Sequence, residues 1–92
     1  MTREDIYDKA LSQYGIAHQR TKCIEELSEL AKELCKEAIG EGSVQRIADE
    51  IADVLITTGQ MIRYYGLGTI VDSRIVYKLD RLERGMNRGN EL

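Results

Sequence analysis

The chain has 92 residues, a formal net charge of −3 and a hydrophobic share of 42%. We expect residues 1–92 to form a single domain with one small core that gains stability from a partner subunit. The acidic balance argues against a nucleic-acid binder. Because the N-terminus lacks an apolar signal region and no apolar run reaches membrane-spanning length, we expect a soluble, cytoplasmic protein with no membrane partner.

The composition favours helices throughout the chain. There is no Pro, 32% of residues are charged, and Leu, Glu, Lys, Arg and Ala are frequent. Phe and Trp are absent, so the predicted core consists of Leu, Ile, Val and Ala. Glycines divide the chain into four segments, which predicts an all-α bundle of three long helices and one short N-terminal helix.

The first two helices are predicted from a cap and from apolar spacing. The short helix covers 2–14, where Thr2 precedes Asp5 by three positions in an acceptable capping arrangement. The second helix covers about 17–39, because its aliphatic residues recur every three or four positions and Gly40 is a natural stop.

The last two helices are also predicted from caps and apolar spacing. Ser43 is a good N-cap for a third helix that ends before Gly66, and its aliphatic and small residues predict burial nearly all round. Thr69 or Asp72 is expected to cap the fourth helix. Residues 87–92 are predicted to fray as a C-terminal tail.

The two cysteines do not suggest a disulfide or a zinc site. Cys23 and Cys35 lie in one predicted helix, within which they cannot reach each other. They also lack the C-x-x-C spacing typical of zinc ligands. We therefore expect reduced thiols, as in a cytoplasmic protein.

Two pairs of carboxylates are the most informative feature of the sequence. Glu26 and Glu29 lie three apart in the second helix, and Glu50 and Asp53 lie three apart in the third. Each pair projects from one side of its helix and borders the apolar stripe. Packing the two stripes in an antiparallel hairpin then brings both borders to one edge, where a divalent cation turns carboxylate repulsion into attraction. A solvated helix face remains the alternative for either pair alone.

The expected cation is Mg²⁺ or Mn²⁺, because the motifs offer only carboxylate oxygens. A di-iron bundle requires Glu-x-x-His pairs, and the single histidine, His18, lies in neither motif. A magnesium ion held by a few carboxylates keeps positions open for phosphate oxygens. The pattern therefore predicts a phosphorylated substrate.

Basic residues concentrate in the fourth helix: Arg74, Lys78, Arg81, Arg84 and Arg88. Most of them share one broad face that would suit a polyphosphate bound at the metal. Surface pairing with Asp80 and Glu83 is the alternative. The tyrosines Tyr64, Tyr65 and Tyr77 would suit either stacking on a base or packing in the core or rim.

Four features carry a family resemblance. They are Gln19, the run Glu25-Glu26-Leu27-x-Glu29-Leu30, the run Asp49-Glu50-Ile51-x-Asp53-Val54-Leu55, and the run Lys78-Leu79-x-Arg81-Leu82. Together they resemble the MazG family of all-α nucleoside triphosphate pyrophosphohydrolases. The resemblance covers about 14–84, and the short length is similar to compact single-domain members common in phages and bacteria.

The resemblance implies an activity and a set of site residues. It implies Mg²⁺-dependent hydrolysis between the α- and β-phosphates of a nucleoside triphosphate, giving a nucleoside monophosphate and pyrophosphate. The residues that resemble the metal ligands are Glu26, Glu29, Glu50 and Asp53. Glu25 occupies the family's additional acidic position, where it assists a ligand or the attacking water.

The resemblance also implies substrate contacts and an assembly. Lys78 and Arg81 resemble the basic pair that contacts phosphates, and Gln19 matches a frequent glutamine before the acidic motif. Members form homodimers or homotetramers in which a neighbouring subunit completes each site. Two alternatives stay open: a helical oligomer that binds nucleotides or a protein partner without hydrolysis, and a purely structural interaction bundle.

Overall fold

The computed structural model describes residues 1–89 as an all-helical chain, as predicted. Its four helices are α1 (Arg3–Tyr14), α2 (Ile16–Ala38), α3 (Val44–Tyr65) and α4 (Gly68–Asn87). The predicted segments match α1, α2 and α3 to within one residue at each end. The predicted frayed tail 87–92 extends beyond the described residues, and α4 continues to Asn87.

Two of the predicted caps are confirmed by hydrogen bonds. The Thr2 hydroxyl accepts from the backbone N–H of Asp5 at 3.0 Å, and the Asp5 carboxylate accepts from the backbone N–H of Thr2 at 3.0 Å. This is a complete capping box. Ser43 caps α3 by accepting from the backbone N–H of Arg46 at 3.4 Å. Both helix starts are therefore determined locally.

The predicted cap of α4 is wrong. The helix begins at Gly68, and Leu67 occupies the N-cap position without a side-chain cap. The reason lies in the preceding turn, where Gly66 adopts a left-handed conformation with φ 66° and ends α3. Leu67 then donates its N–H to Ile62 at 2.9 Å and accepts from Val71 at 2.8 Å, so the next helix starts at once.

An antiparallel hairpin of α2 and α3 forms the centre of the molecule. At one end of it, Arg20 donates to the hydroxyl of Tyr65 at 2.9 Å. Helix α1 lies against both hairpin helices and is held by Asp8, whose carboxylate accepts from Arg63 at 2.6 and 2.7 Å. Helix α4 packs against α3 alone, so the described chain is extended, at 47 × 36 × 23 Å.

The predicted aliphatic core is wrong for the chain by itself. Among residues 1–89, the buried apolar residues are Tyr7 and Cys23, and no large side chain is fully buried. The predicted all-round burial of α3 is also wrong, since Leu55 is 65% and Ile56 45% exposed. The exposure arises because α4 does not fold back over the α2–α3 hairpin. The apolar side chains of the hairpin therefore remain uncovered.

Both cysteines are free, as predicted, with Cys23 buried and Cys35 exposed. Within the described part of the chain, no helix combines the length and the apolar character needed to cross a membrane.

Candidate metal centre

Three carboxylates from two helices meet on one edge of the hairpin. Glu26 of α2 and Glu50 and Asp53 of α3 each place one oxygen within 4.8 Å of the other two. The two α3 residues are three apart and project from the same side of the helix. The antiparallel pairing of α2 with α3 brings Glu26 opposite them, which is the arrangement that the helical spacing predicts.

The cluster lies at the boundary between the hairpin interior and solvent. Glu26 and Glu50 are half-buried, whereas Asp53 is exposed. Burial raises the pKa of the Glu26 carboxyl, and the neighbouring Asp53 and Glu50 raise this pKa further. The Oε2 atom of Glu50 is buried and has no hydrogen-bond partner among residues 1–89. A buried carboxylate oxygen without a partner is unfavourable, and a bound cation would supply one.

The donor atoms fit a hard divalent cation. Magnesium–oxygen distances of about 2.1 Å allow two ligand oxygens on opposite sides of the ion to lie about 4.2 Å apart. Oxygens within 4.8 Å of one another need only small side-chain rotations to reach this span. All three donors are carboxylates, the ligand type that Mg²⁺ and Mn²⁺ prefer.

The other two acidic residues singled out by the sequence lie outside this group. Glu29 is exposed and is not among the three clustered carboxylates. Glu25 is exposed as well, and its carboxylate lies 3.2 Å from Nζ of Lys22. Neighbouring residues of a helix point about 100° apart, so Glu25 and Glu26 cannot both face α3. Metal binding by Glu29 stays a prediction.

A cavity of about 390 Å³ opens directly beside the cluster. Its walls include Glu26 and Asp53 together with Tyr14, His18, Gln19, Lys22, Thr57 and Gln60. These residues come from α1, α2 and α3. A wider cavity of about 520 Å³ lies between the start of α1 and the α3–α4 turn, but none of the three clustered carboxylates lines it. The smaller cavity is therefore the one relevant to the candidate metal centre.

Lys22 is the cationic side chain that the sequence reasoning missed. Its hydrogen bond to Glu25 and the charge of Glu25 raise the pKa of the ammonium group, and Glu26 and Asp53 add to this effect. Lys22 therefore remains protonated at neutral pH, at the wall that the cluster and the cavity share. Its position four residues before Glu26, on the same helix face, is a sequence signal that could have identified it.

Two glutamines line the cavity from facing helices. Gln19, which the family resemblance had indicated, is only 6% exposed. Gln60 of α3 is half-buried and was not predicted. Gln60 follows Asp53 by seven positions, two helical turns, and therefore shares its face, which was the available signal.

The predicted basic pair of α4 is not brought to this cavity. Lys78 and Arg81 are exposed, and no α4 residue lines the cavity beside the cluster. Neither residue forms an ion pair with another of residues 1–89. Elsewhere on α4, Arg84 pairs with Asp80 at 2.9 Å and Arg74 stacks over the Tyr77 ring at 4.6 Å. Phosphate contact by Lys78 and Arg81 stays a prediction.

Comparisons of the chain with protein-family models, with curated proteins and with solved structures found no match. The resemblance to the MazG family therefore stays a prediction from the motifs.

Proposed function

We propose that this protein is a Mg²⁺-dependent nucleoside triphosphate pyrophosphohydrolase of the MazG type. The proposed reaction adds water across the bond between the α- and β-phosphates and releases a nucleoside monophosphate and pyrophosphate. The observation that carries the proposal is the meeting of Glu26, Glu50 and Asp53 from two helices, with a buried and unpartnered oxygen on Glu50. The choice of this reaction over other phosphate chemistry rests on the motifs that resemble the MazG family.

Some residues of the site would bind the cation, and others would bind the substrate. Glu26, Glu50 and Asp53 would hold the cation. When bound, Mg²⁺ neutralises phosphate charge, polarises the α-phosphate and makes an attacking water more acidic. Lys22 supplies a positive charge at the wall between cluster and cavity, where it can bind a phosphate oxygen. Glu25 holds the Lys22 ammonium by its ion pair at 3.2 Å.

We also propose that the protein works as a homo-oligomer built from dimers. Helix α4 contains no buried residue, and most of its large apolar side chains are exposed. Among them, Val76 is 69% and Leu79 59% exposed. An exposed apolar face of this kind is typical of an interface. A second copy is the favoured occupant because twofold symmetry pairs such a face with its own equivalent, and the family resemblance implies the same.

In such an oligomer, Lys78 and Arg81 would act at the site of a neighbouring copy. The chain's own α4 contributes nothing to the cavity beside the cluster. Both residues are exposed and unpaired within residues 1–89, so their charges are available to an anion. A dimer and a tetramer are both compatible with this arrangement.

The activity is tested by measuring pyrophosphate release from the common ribonucleoside and deoxyribonucleoside triphosphates with Mg²⁺. Glu50→Gln removes a ligand charge with little change in shape, and Glu41→Gln makes the same change on an exposed loop residue. We expect the wild type and Glu41→Gln to release pyrophosphate and Glu50→Gln to be slower by at least about tenfold. Equal rates for the wild type and Glu50→Gln, or no turnover by either, would contradict the proposal.

Metal binding is tested without relying on activity. A cation bound only by the folded state raises the free energy of unfolding by about 1.4 kcal/mol at ten times its dissociation constant. Thermal unfolding with and without Mg²⁺ should therefore show a higher Tm for the wild type and for Glu41→Gln. The increase should be absent in Glu50→Gln. A purely structural bundle would show no such difference.

Nucleotide binding without hydrolysis is the second candidate function. The position of Glu29 outside the group of three carboxylates favours it, because fewer ligands weaken the hold on the cation. Calorimetry that detects nucleotide binding, together with no pyrophosphate release from the same nucleotide, would support this function over the first.

A further inference from the structure

We propose that Glu33 of α2 and Glu50 of α3 hold a second divalent cation, nearer to the α2–α3 loop than the one assigned to Glu26, Glu50 and Asp53. Glu33 belongs to none of the motifs that carry the family resemblance. The inference rests on the metal centre of the proposed function, because Glu50 is shared, but it does not rest on the proposed reaction.

Glu33 carries a buried carboxylate oxygen that has no partner. Only 7% of the residue is exposed. Its Oε1 atom lies 3.6 Å from Nζ of Lys36, whereas its Oε2 atom is buried and has no hydrogen-bond partner among residues 1–89. A buried carboxylate oxygen without a partner is unfavourable. Because Lys36 contacts the other oxygen, Oε2 is available to a cation.

The Oε2 atom of Glu50 is in the same state as that of Glu33, and the two side chains come from facing helices. Glu33 follows Glu26 by seven positions, two helical turns, so it lies on the side of α2 that faces α3. Helix α4 packs against α3 alone, and Arg63 holds α1 at the opposite end of the hairpin. Helix α3 and the loop before it are therefore the elements that bury Glu33.

The register of the hairpin brings the carboxylates of Glu33 and Glu50 toward each other. Near the loop, Gly42 lies against Glu37, since a Cβ at Gly42 would be 2.5 Å from the Glu37 Cα. Counting away from the loop along both helices, Glu33 lies level with residue 46. Its Cα is then four residues, or about 6 Å, from the level of the Glu50 Cα. Helix side chains lean toward the N-terminus, so in this antiparallel pair the two glutamates lean toward each other.

Glu50 is able to serve two cations because a carboxylate has two oxygens. One oxygen belongs to the cluster with Glu26 and Asp53, which leaves the other for a cation shared with Glu33. Magnesium is commonly bound by one or two carboxylates, with water or phosphate at its remaining positions. Paired cations in such centres lie about 3.5–4 Å apart. A carboxylate that bridges two ions fits this spacing.

The charges of the centre also favour two cations. Its carboxylates are those of Glu26, Glu33, Glu50 and Asp53. One Mg²⁺ and the Lys36 ammonium offset three of these four negative charges. Lys22 does not change the balance, because it pairs with Glu25. A second Mg²⁺ makes the centre positive, which attracts a polyphosphate such as the substrate of the proposed function.

The test counts bound Mn²⁺, which replaces Mg²⁺ at carboxylate sites, from the loss of its free-ion EPR signal. The variant is Glu33→Gln, and the control is Glu37→Gln, which makes the same change at an exposed residue one turn along α2. We expect two Mn²⁺ per chain in the wild type and in Glu37→Gln, and one in Glu33→Gln. Two ions bridged by the Glu50 carboxylate should also give a spin-coupled EPR spectrum that Glu33→Gln lacks.

Lys36→Gln tests the same site while leaving Glu33 in place. The Lys36 ammonium competes with a cation for the Glu33 carboxylate, so its removal should tighten binding of the second Mn²⁺ by about twofold to fivefold. Lys32→Gln removes an equal charge from an exposed position of α2 and should leave both affinities nearly unchanged. If circular dichroism shows that Glu33→Gln does not fold, Lys36→Gln decides. Unchanged or weaker binding of the second ion in this variant would contradict the proposal.

The possible outcomes separate this inference from the proposed function. One Mn²⁺ in the wild type, two in Glu33→Gln, or one in Glu37→Gln would overturn the second cation and leave the first metal centre intact. Two uncoupled ions in the wild type would overturn the sharing of Glu50. No Mn²⁺ binding by the wild type would overturn both metal proposals. A wild type that binds two coupled ions but releases no pyrophosphate would support this inference and contradict the proposed reaction.

Discussion

Carboxylate oxygens of Glu26 on α2 and Asp53 on α3 lie within 4.8 Å of each other across the hairpin. After burial, the charge of Asp53 makes the largest contribution to the raised pKa of Glu26. A carboxyl whose pKa is higher in the folded than in the unfolded state makes folding less favourable as pH rises through that interval. The raised pKa of Glu26 therefore lowers the free energy of unfolding of the metal-free protein at neutral pH. Such a loss of stability is expected for side chains whose role is to bind a ligand.

Glu26→Gln should raise the Tm of the metal-free protein at pH 7, because it removes the charge that burial, Asp53 and Glu50 disfavour. The gain should disappear below pH 4.5, the ordinary value of the Glu26 pKa, where the wild-type carboxyl is protonated in both states. Thermal unfolding in a chelator at several pH values measures both effects. The same variant should lose stabilisation by Mg²⁺.

The control for this prediction is Glu41→Gln, which removes an equal charge from an exposed position in the α2–α3 loop. It should neither raise the Tm in chelator nor reduce the response to Mg²⁺. A lower Tm for Glu26→Gln than for the wild type at pH 7 would show that the Glu26 charge is favourable, contrary to the cluster described above.

Gly59→Ala should destabilise the protein although alanine is the better helix former. A Cβ at Gly59 would lie 3.0 Å from the Tyr7 hydroxyl oxygen and 3.2 Å from Cε2 of its ring. In the Tyr7→Ala background this conflict is absent, and the same substitution should add up to about 1 kcal/mol to the free energy of unfolding. Urea unfolding of the wild type, the two single variants and the double variant measures whether the effect of Gly59→Ala on stability changes sign.

A suitable control is Gly68→Ala, because an added Cβ at Gly68 would meet no atom within 4 Å. Its effect should be the same with Tyr7 and with Ala at position 7. If Gly59→Ala stabilises both backgrounds equally, α1 does not pack against α3 through Tyr7 as described.

Asp8→Asn should weaken the attachment of α1 at neutral pH and have little effect in acid. The hydrogen bonds from Arg63, together with its charge, lower the pKa of Asp8 below the ordinary value of 3.8. The resulting stabilisation is fully present above pH 3.8 and is lost as pH falls through the lowered pKa. Because both side chains are about half exposed, the effect is small and decreases with added salt.

Denaturant unfolding at pH 7 and at successively lower pH, as the carboxyl gains its proton, measures the contribution of Asp8. In an Arg63→Gln background, Asp8→Asn should change stability little at any of these pH values, because its partner is gone. A difference between the wild type and Asp8→Asn that is as large in acid as at pH 7 would contradict the role of this ion pair.

Mixing two impaired variants should restore activity if α4 completes the site of a neighbouring copy. Glu50→Gln damages the metal centre and Lys78→Ala damages the basic pair. A mixed dimer of the two contains one intact site when Glu50 and Lys78 act from different copies. Random exchange of subunits should therefore restore about a quarter of the wild-type rate.

Pyrophosphate release, measured after partial unfolding and refolding of the mixture, checks the recovery. A mixture of Glu50→Gln with Asp53→Asn is the control, since both changes damage the same centre and no intact site can form. A rate for the first mixture no higher than for this control would place Lys78 outside the shared site.

The sequence predicted the helices well because their determinants are local. Thr2 and Ser43 cap their helices through neighbouring residues, and the apolar spacing of α2 and α3 reflects the helical repeat itself. The cap of α4 was mispredicted because the turn at Gly66 and Leu67 starts the helix before any capping side chain. The aliphatic core was mispredicted because burial depends on what covers a face.

The candidate site was partly predictable because the spacing of carboxylates along a helix is also a local property. The spacing of Glu50 and Asp53 places them on one side of α3, and the amphipathic stripes bring Glu26 opposite them. Lys22 and Gln60 lie at helical spacing from Glu26 and Asp53, but such spacing is common on helix surfaces and does not by itself mark a site residue. Only the packing of α1 against the hairpin creates the cavity that they line.

The sequence by itself determined where the helices lie, which residues cap α1 and α3, and which carboxylates share a helix face, since each depends on residues a few positions apart. The tertiary structure decided which acids actually meet. It selected Glu26, Glu50 and Asp53 and left Glu29 and α4 outside. It also placed a cavity lined by Gln19 and Lys22 beside them. These features depend on how α1, α2 and α3 pack in space, which local spacing does not specify.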